Sequence, residues 1–173
     1  IGSFLHGSMA NALPHAIGAQ LADRERQVVA MCGDGGLSML LGDLLTPVTY
    51  DLPMTAVVFN NSTLGMVKLE MLVDELPSFG TDVPATDYAA IAGAMGWRTW
   101  RVEDPRDLEA AYREALAHRG PSLVDVVTDP NALSLPPKIT SDQVFGFATA
   151  MSKIVLNGGV GAVSYTHLTL PTI

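Results

Sequence analysis

MCGDGGLSMLLGDLL, residues 31–45, decides the fold. The apolar run QVVAMC (27–32) breaks off into Gly33-Asp34-Gly35-Gly36, and a leucine-rich pattern starts at once. An apolar run of strand length, closed by glycines and followed by helical spacing, predicts a buried parallel strand feeding a helix. The helical stripe is expected over 37–50, carried by Leu37, Leu40, Leu41, Leu44, Leu45 and Val48. Three glycines around one carboxylate are an entropically costly exit from a strand. So bare a backbone implies that something must come close to Asp34.

The same alternation runs through the chain. DLPMTAVVFNN (51–61) predicts a second strand over roughly 54–59 and a short helix from about Leu64. TDYAAIAGAMGW predicts a helix capped by Thr86 or Asp87, and WRTWRV a weaker strand. DPRDLEAAYREALAHRG has Asp104 as cap, Pro105 at the first helical position and Gly120 just past the end. PSLVDVVTD closes with a further strand. Strands alternating with helices imply right-handed crossovers, hence an α/β fold: a parallel sheet in three layers with helices on both faces. Ligands of such sheets bind beyond the carboxyl ends of the strands. Gly33-Asp34-Gly35 and Asn60-Asn61 both fall at strand ends and are expected side by side.

The 173 residues are 48% hydrophobic and 16% charged, with net charge −8. That composition suits a buried globular domain, and without a Lys/Arg cluster it argues against nucleic acid as a partner. The single cysteine, Cys32, excludes an internal disulfide framework and fits a reducing compartment. No apolar run approaches the roughly 18 residues of a membrane span. The chain starts at Ile1 without a signal pattern and reads as a fragment of something longer. Residues 1–130 are expected to form one domain. Residues 131–157 hold a Pro-rich linker, NALSLPPKI, and an amphipathic helix over 141–156 with Val144, Phe147, Ala148, Met151, Ile154 and Val155 on one stripe. Residues 158–173 match nothing before them and stand as an unassigned tail, a candidate non-native terminus.

One aspartate and one asparagine at adjacent strand ends offer hard oxygen ligands. Mg²⁺ takes few such ligands from protein and fills its shell with water and phosphate oxygens. Glycines 33, 35 and 36 let the main chain approach a diphosphate, and the following helix aims its N-terminus there. Either cluster alone reads as a simple turn. Together, Gly-Asp-Gly, 24 residues and Asn-Asn form a more specific pattern. A phosphatase of the haloacid-dehalogenase type also uses Gly-Asp-Gly, but it needs a nucleophilic Asp on an earlier strand and another acid soon after the turn. The next acid here is Asp43, inside the predicted helix.

The spacing resembles the thiamine diphosphate motif of the thiamine-dependent decarboxylase and oxidase superfamily. FLHGSMANALPHAIGAQLADRERQVVAMCGDGG and LPMTAVVFNNSTLGMVKLEM are similar to the C-terminal domain of the pyruvate dehydrogenase (quinone), or quinone-reducing pyruvate oxidase, family, over about residues 1–157. This implies a thiamine diphosphate-binding fold whose opening strand and helix are absent. It implies Mg²⁺ held by Asp34, Asn61 and the main-chain carbonyl of Thr63. Gly33, Gly35 and Gly36 would border the diphosphate, Gly7 would offer its carbonyl to the aminopyrimidine, and Ser8 would be a further cofactor-binding residue. Met9 would be the apolar wedge that bends the cofactor, against plain core packing as the other reading. Ser62, Leu64, Gly65, Met66 and Val67 would line the cofactor or its entrance, with Asn60 only shaping the turn.

The implied reaction is oxidative decarboxylation of pyruvate to acetate and CO₂, with FAD in the full-length enzyme and a membrane quinone as acceptor. The acid that activates the cofactor belongs to a missing domain, so this piece alone is expected to be inactive. A homotetramer in the cytoplasm is expected, touching the inner face of the membrane through residues 141–156. Two positions depart from the pattern. Met66 stands where quinone-reducing relatives carry a bulky aromatic, as acetolactate synthases also have Met there. Lys68-Leu69-Glu70-Met71 lacks the Gln-Trp pair of acetolactate synthases. Acetolactate synthase, another 2-keto acid decarboxylase and a non-catalytic cofactor-binding module stay open as alternatives. His6 is the histidine nearest the expected site and is read as structural or solvent-facing over catalytic; His15 and His118, on predicted helices, need no functional reading, and Cys32 is read as a small hydrophobe.

Overall fold

The computed structural model describes residues 1–74, 76–130, 132, 149 and 152. The chain divides into two compact units, Ile1–Ser62 with Pro84–Thr128 and Thr63–Val83 with Asp129–Ile173.

The first unit holds a four-stranded, wholly parallel sheet in the order β1-β2-β4-β3, from β1 (Val28–Gly33), β2 (Met54–Asn60), β3 (Arg98–Val102) and β4 (Ser122–Val127). Helices α1 (Ala12–Ala22), α2 (Asp34–Met39), α3 (Leu45–Thr49), α5 (Tyr88–Ala94) and α6 (Leu108–Ala117) complete it. The larger core lies on one face, where Leu13, Ile17, Leu37, Leu44, Tyr88 and Ala92 pack on Ala30, Cys32, Met54, Ala56, Val58 and Leu123. On the other face Ala111 and Ala115 of α6 close over Val57, Val124, Val126 and Val102. Helices thus cover both faces of a parallel sheet, giving the three layers expected. Asp87 caps α5 by accepting the Ala90 N–H at 2.7 Å, and Asp104 accepts the Arg106 N–H at 2.9 Å before Pro105.

Two expectations change. The stripe over 37–50 is not one helix. It breaks into α2, a 3-10 turn over Leu41–Leu44 and α3, with Leu40 as the joint at φ −129° and ψ 39°. Gly42 and Pro47 weaken any continuous helix there. Leu37 and Leu44 are buried, but Leu40 and Leu45 are exposed. The second change is β1, which lies at the sheet edge and alternates buried with exposed residues. Val29 and Met31 face outward because α6 covers only the β2, β4 and β3 part of that face.

The second unit contains α4 (Gly65–Val73), with Leu69 and Leu72 buried. Its excursion closes on itself. The Leu64 N–H donates to the Thr81 carbonyl at 2.7 Å, the Thr63 hydroxyl donates to the same oxygen at 3.0 Å, and Thr63 forms an antiparallel bridge with Asp82. The expected linker and amphipathic helix (131–157) and the tail (158–173) lie outside the described residues, apart from Ala132, Thr149 and Ser152. Among the described residues no helix is long and apolar enough to cross a membrane.

Candidate metal and cofactor site

Gly33 pairs in register with Phe59, so β1 and β2 end level and their turns start together. Asp34 opens α2 and is 3% exposed. Its Oδ1 accepts the Gly35 N–H at 2.8 Å and its Oδ2 accepts the Ser62 N–H at 2.7 Å. The Gly-Asp-Gly turn and the Asn-Asn turn therefore meet, as their places at strand ends require. Ser62 reaches Asp34 from a left-handed backbone, φ 53°. A side chain in that region costs about 1–2 kcal/mol, and strain of this kind gathers at functional sites.

Burial pushes the Asp34 carboxyl above its ordinary value, while the N–H groups of Gly35, Ser62, Asp34 and Asn61 draw it partly back. Among the described residues no cationic side chain pairs with it. A buried carboxylate held only by neutral donors is short of positive charge. A divalent cation would supply it. Among the described residues no group of three or more His, Cys, Asp or Glu gathers anywhere.

The glycines divide by cause. A Cβ on Gly36 would run into the Met9 carbonyl oxygen, so packing requires that glycine. Gly33 is extended, at φ −81° and ψ 161°, and a Cβ there would meet nothing within 4 Å. The fold does not need a glycine at 33, and the open space in front of it fits an approaching ligand. Gly7 is left-handed at φ 59° with equally open surroundings. The Ser8 N–H donates to the Ser3 hydroxyl at 3.3 Å. Met9 is 41% exposed, so it is not a core residue of this chain.

Asn61 and Ser62 are half-buried. Thr63, Leu64, Gly65, Met66 and Val67 all belong to the second unit, where Thr63 is buried and Met66 and Val67 are exposed. His6, His15 and His118 are exposed. Cys32 is buried, and burial pushes its thiol up to about 12, as suits a small hydrophobe.

Asn60 does more than shape a turn. Its side-chain amide donates to Oδ1 of Asp125 at 3.0 Å and to the Thr86 carbonyl at 2.8 Å. Sequence pattern alone does not single out Asp125. The available signal was a lone acid inside the apolar strand SLVDVV, since an acid there is tolerated only when paired.

The fold defines a class: an α/β domain with a parallel sheet, helices on both faces and two polar turns that meet at its strand ends. Residues 1–126 match the family described as Thiamine pyrophosphate enzyme, C-terminal TPP binding domain, and the chain belongs to that family. It is 42% identical over 146 residues to the "Putative thiamine pyrophosphate-containing protein YdaP" of Bacillus subtilis (strain 168), covering 84% of this chain and 25% of that protein. It is 36% identical over 130 residues to pyruvate oxidase of Lactiplantibacillus plantarum, covering 73% of this chain and 22% of that protein. Among solved structures, the thiamine diphosphate-dependent 4-hydroxybenzoylformate decarboxylase of Rhodococcus jostii RHA1 superposes with a TM-score of 0.67 at 32% identity, covering 71% of this chain and 24% of that one. Acetolactate synthase of Bacillus subtilis is 34% identical over 118 residues, 68% of this chain and 21% of that protein. The chain thus spans about a quarter of the length of the relatives it matches.

Proposed function

We propose that this chain is the metal- and diphosphate-holding part of a flavoenzyme that oxidatively decarboxylates pyruvate to acetate and CO₂, with a quinone as electron acceptor. The observation that carries the site reading is Asp34, a buried carboxylate held by N–H donors with no cationic partner among the described residues. Asp34 and Asn61 would ligate Mg²⁺, joined by the main-chain carbonyl of Thr63, two residues further along the chain. Gly33, Gly35 and Gly36 would admit the diphosphate. When bound, thiamine diphosphate supplies a carbon nucleophile for the keto group and accepts the electrons released with CO₂. The work of this chain is to fix that group in place: Asp34 holds the metal, Ser62 and Gly35 aim the carboxylate, and Met9 supplies an apolar surface. The activating acid and the FAD belong to other parts of the whole protein.

Likeness to pyruvate oxidase and the absence of the Gln-Trp pair after Met66 support pyruvate as the single keto acid. The reading extends to a cytoplasmic homotetramer that meets the inner membrane surface through residues 141–156. Acetolactate synthase is the second reading, favoured by Met66 itself. The test uses the intact protein with Mg²⁺, thiamine diphosphate, FAD, pyruvate and a soluble quinone. Acetate formed one-for-one with reduced quinone is expected. Acetolactate as the product, or turnover only on aromatic keto acids, would overturn the proposal.

A further inference from the structure

Two hydroxyls and one main-chain oxygen form a triangle under the Asp34 turn. The Ser38 hydroxyl donates to the Asp34 carbonyl at 2.8 Å. The Tyr88 hydroxyl lies 2.6 Å from the Ser38 hydroxyl and 3.3 Å from the same carbonyl. Tyr88 is 1% exposed, so its ring is locked by packing and its oxygen cannot wander. Its other end is tied as firmly. The Tyr88 N–H donates to Oδ2 of Asp125 at 3.1 Å. Asp125 is 0% exposed and also accepts from the Asn60 amide at 3.0 Å and from Arg101 at 2.7 Å.

One rigid residue therefore bridges the two turns. Its phenol grips the main chain at Asp34, and its N–H shares a carboxylate with Asn60, the residue before Asn61. Asn60 is fixed at its main chain as well, where its carbonyl accepts the Thr128 N–H at 2.9 Å. Mg²⁺ demands near-ideal octahedral geometry, so the separation of its protein ligands matters more than their mere presence.

We infer that Tyr88 and Asp125 are positioning residues, which set the spacing between Asp34 and Asn61 through a chain of hydrogen bonds running from the Asp34 carbonyl to the Asn60 amide. This rests on the proposed metal and cofactor site. Neither residue touches the metal, so the effect is on affinity and order, not on chemistry.

The test removes one oxygen at a time from the intact protein. Tyr88→Phe keeps the buried ring, and Ser38→Ala suits a helix, so folding survives in both. Tyr112→Phe, on α6 at the opposite face of the sheet, is the control. Two quantities are read: the Mg²⁺ concentration that half-saturates thiamine diphosphate binding, and the hydrogen-exchange rate of the Gly35 amide without ligand. Tyr88→Phe is expected to raise the Mg²⁺ midpoint about 3- to 10-fold, the worth of one hydrogen bond, and to speed Gly35 exchange, with Tyr112→Phe unchanged. Wild-type midpoint and exchange in both Tyr88→Phe and Ser38→Ala would overturn the inference, and so would an equal shift in Tyr112→Phe. If Tyr88→Phe speeds Gly35 exchange in a protein that binds no thiamine diphosphate at all, the positioning stands and the proposed function falls.

Discussion

Asp34 and Asp125 are both shut away from water, at 3% and 0% exposure, the first just past the end of β1 and the second inside β4. Their partners differ in kind. Asp125 meets the Arg101 guanidinium at 2.7 Å, and the guanidinium, bonded first to Glu103 and facing Asp125, is held protonated more firmly than usual. The Asn60 amide and the Tyr88 N–H occupy its remaining acceptor positions. Its charge is balanced inside the protein. Asp34 has N–H donors only, and burial leaves its carboxyl raised. A carboxylate with its own counter-ion serves the fold, and a buried carboxylate without one is the candidate to meet a ligand's cation.

The comparison breaks first at Asp125. Asp125→Ala should strand Arg101 and the Asn60 amide, and the loss of one partner from such a pair costs about 3–5 kcal/mol. The midpoint of chemical denaturation should fall accordingly. A midpoint within experimental error of wild type would mean that the network carries no net stability.

Asp34→Ala should act the other way round. Mg²⁺-dependent thiamine diphosphate affinity should drop by more than about 100-fold, beyond what the loss of an outer-shell partner costs. Stability should fall less than in Asp125→Ala, because a buried uncompensated charge leaves with the side chain. Titration calorimetry with and without Mg²⁺ decides it, and unchanged affinity would sink the site. Asn61→Ala should weaken binding to a smaller degree.

The two glycines sharpen the contrast at lower cost. Gly36→Ala drives a Cβ into the Met9 carbonyl, and overpacking of this kind costs about 1–3 kcal/mol. Gly33→Ala meets open space and should leave thermal stability within roughly 1 kcal/mol of wild type, or slightly above it. It should nevertheless reduce diphosphate binding. Equal binding by Gly33→Ala would show that this glycine answers to no ligand.

Acidity separates the roles more gently. The folded pKa of Asp34 is raised, so its contribution to the stability of the ligand-free protein is present at low pH and is lost as pH rises through that value. Metal binding needs the ionised form. On acidification, Mg²⁺ affinity should therefore begin to fall at a higher pH than it would for an unperturbed aspartate. The smallest expected effect is at Cys32, whose thiol is pushed up to about 12 by burial. It should resist a thiol reagent near pH 8 until the protein unfolds.

The Asp34 turn was legible because its signals are local: an apolar run, glycines, a carboxylate and a helical pattern within 15 residues. The leucine stripe after it misled, because spacing ignores what Gly42 and Pro47 do to a helix. QVVAMC read as buried throughout because composition cannot tell an edge strand from a central one. Asp125 drew no attention because its partners lie 65, 37 and 24 residues away in the chain.

By itself, then, the sequence determined the alternation of strands and helices, the bare Gly-Asp-Gly turn and the presence of oxygen-bearing side chains at two strand ends. These follow from side-chain period and backbone freedom, which act between near neighbours. Only the tertiary structure decided which buried aspartate is neutralised by the protein. Placing β4 between β2 and β3 sets Asp125 in register with Val58 on one side and Arg101 on the other, while Asp34 lies just past the end of the edge strand β1, outside the sheet. Counter-ion pairing is a matter of distance in space, and strand order sets that distance.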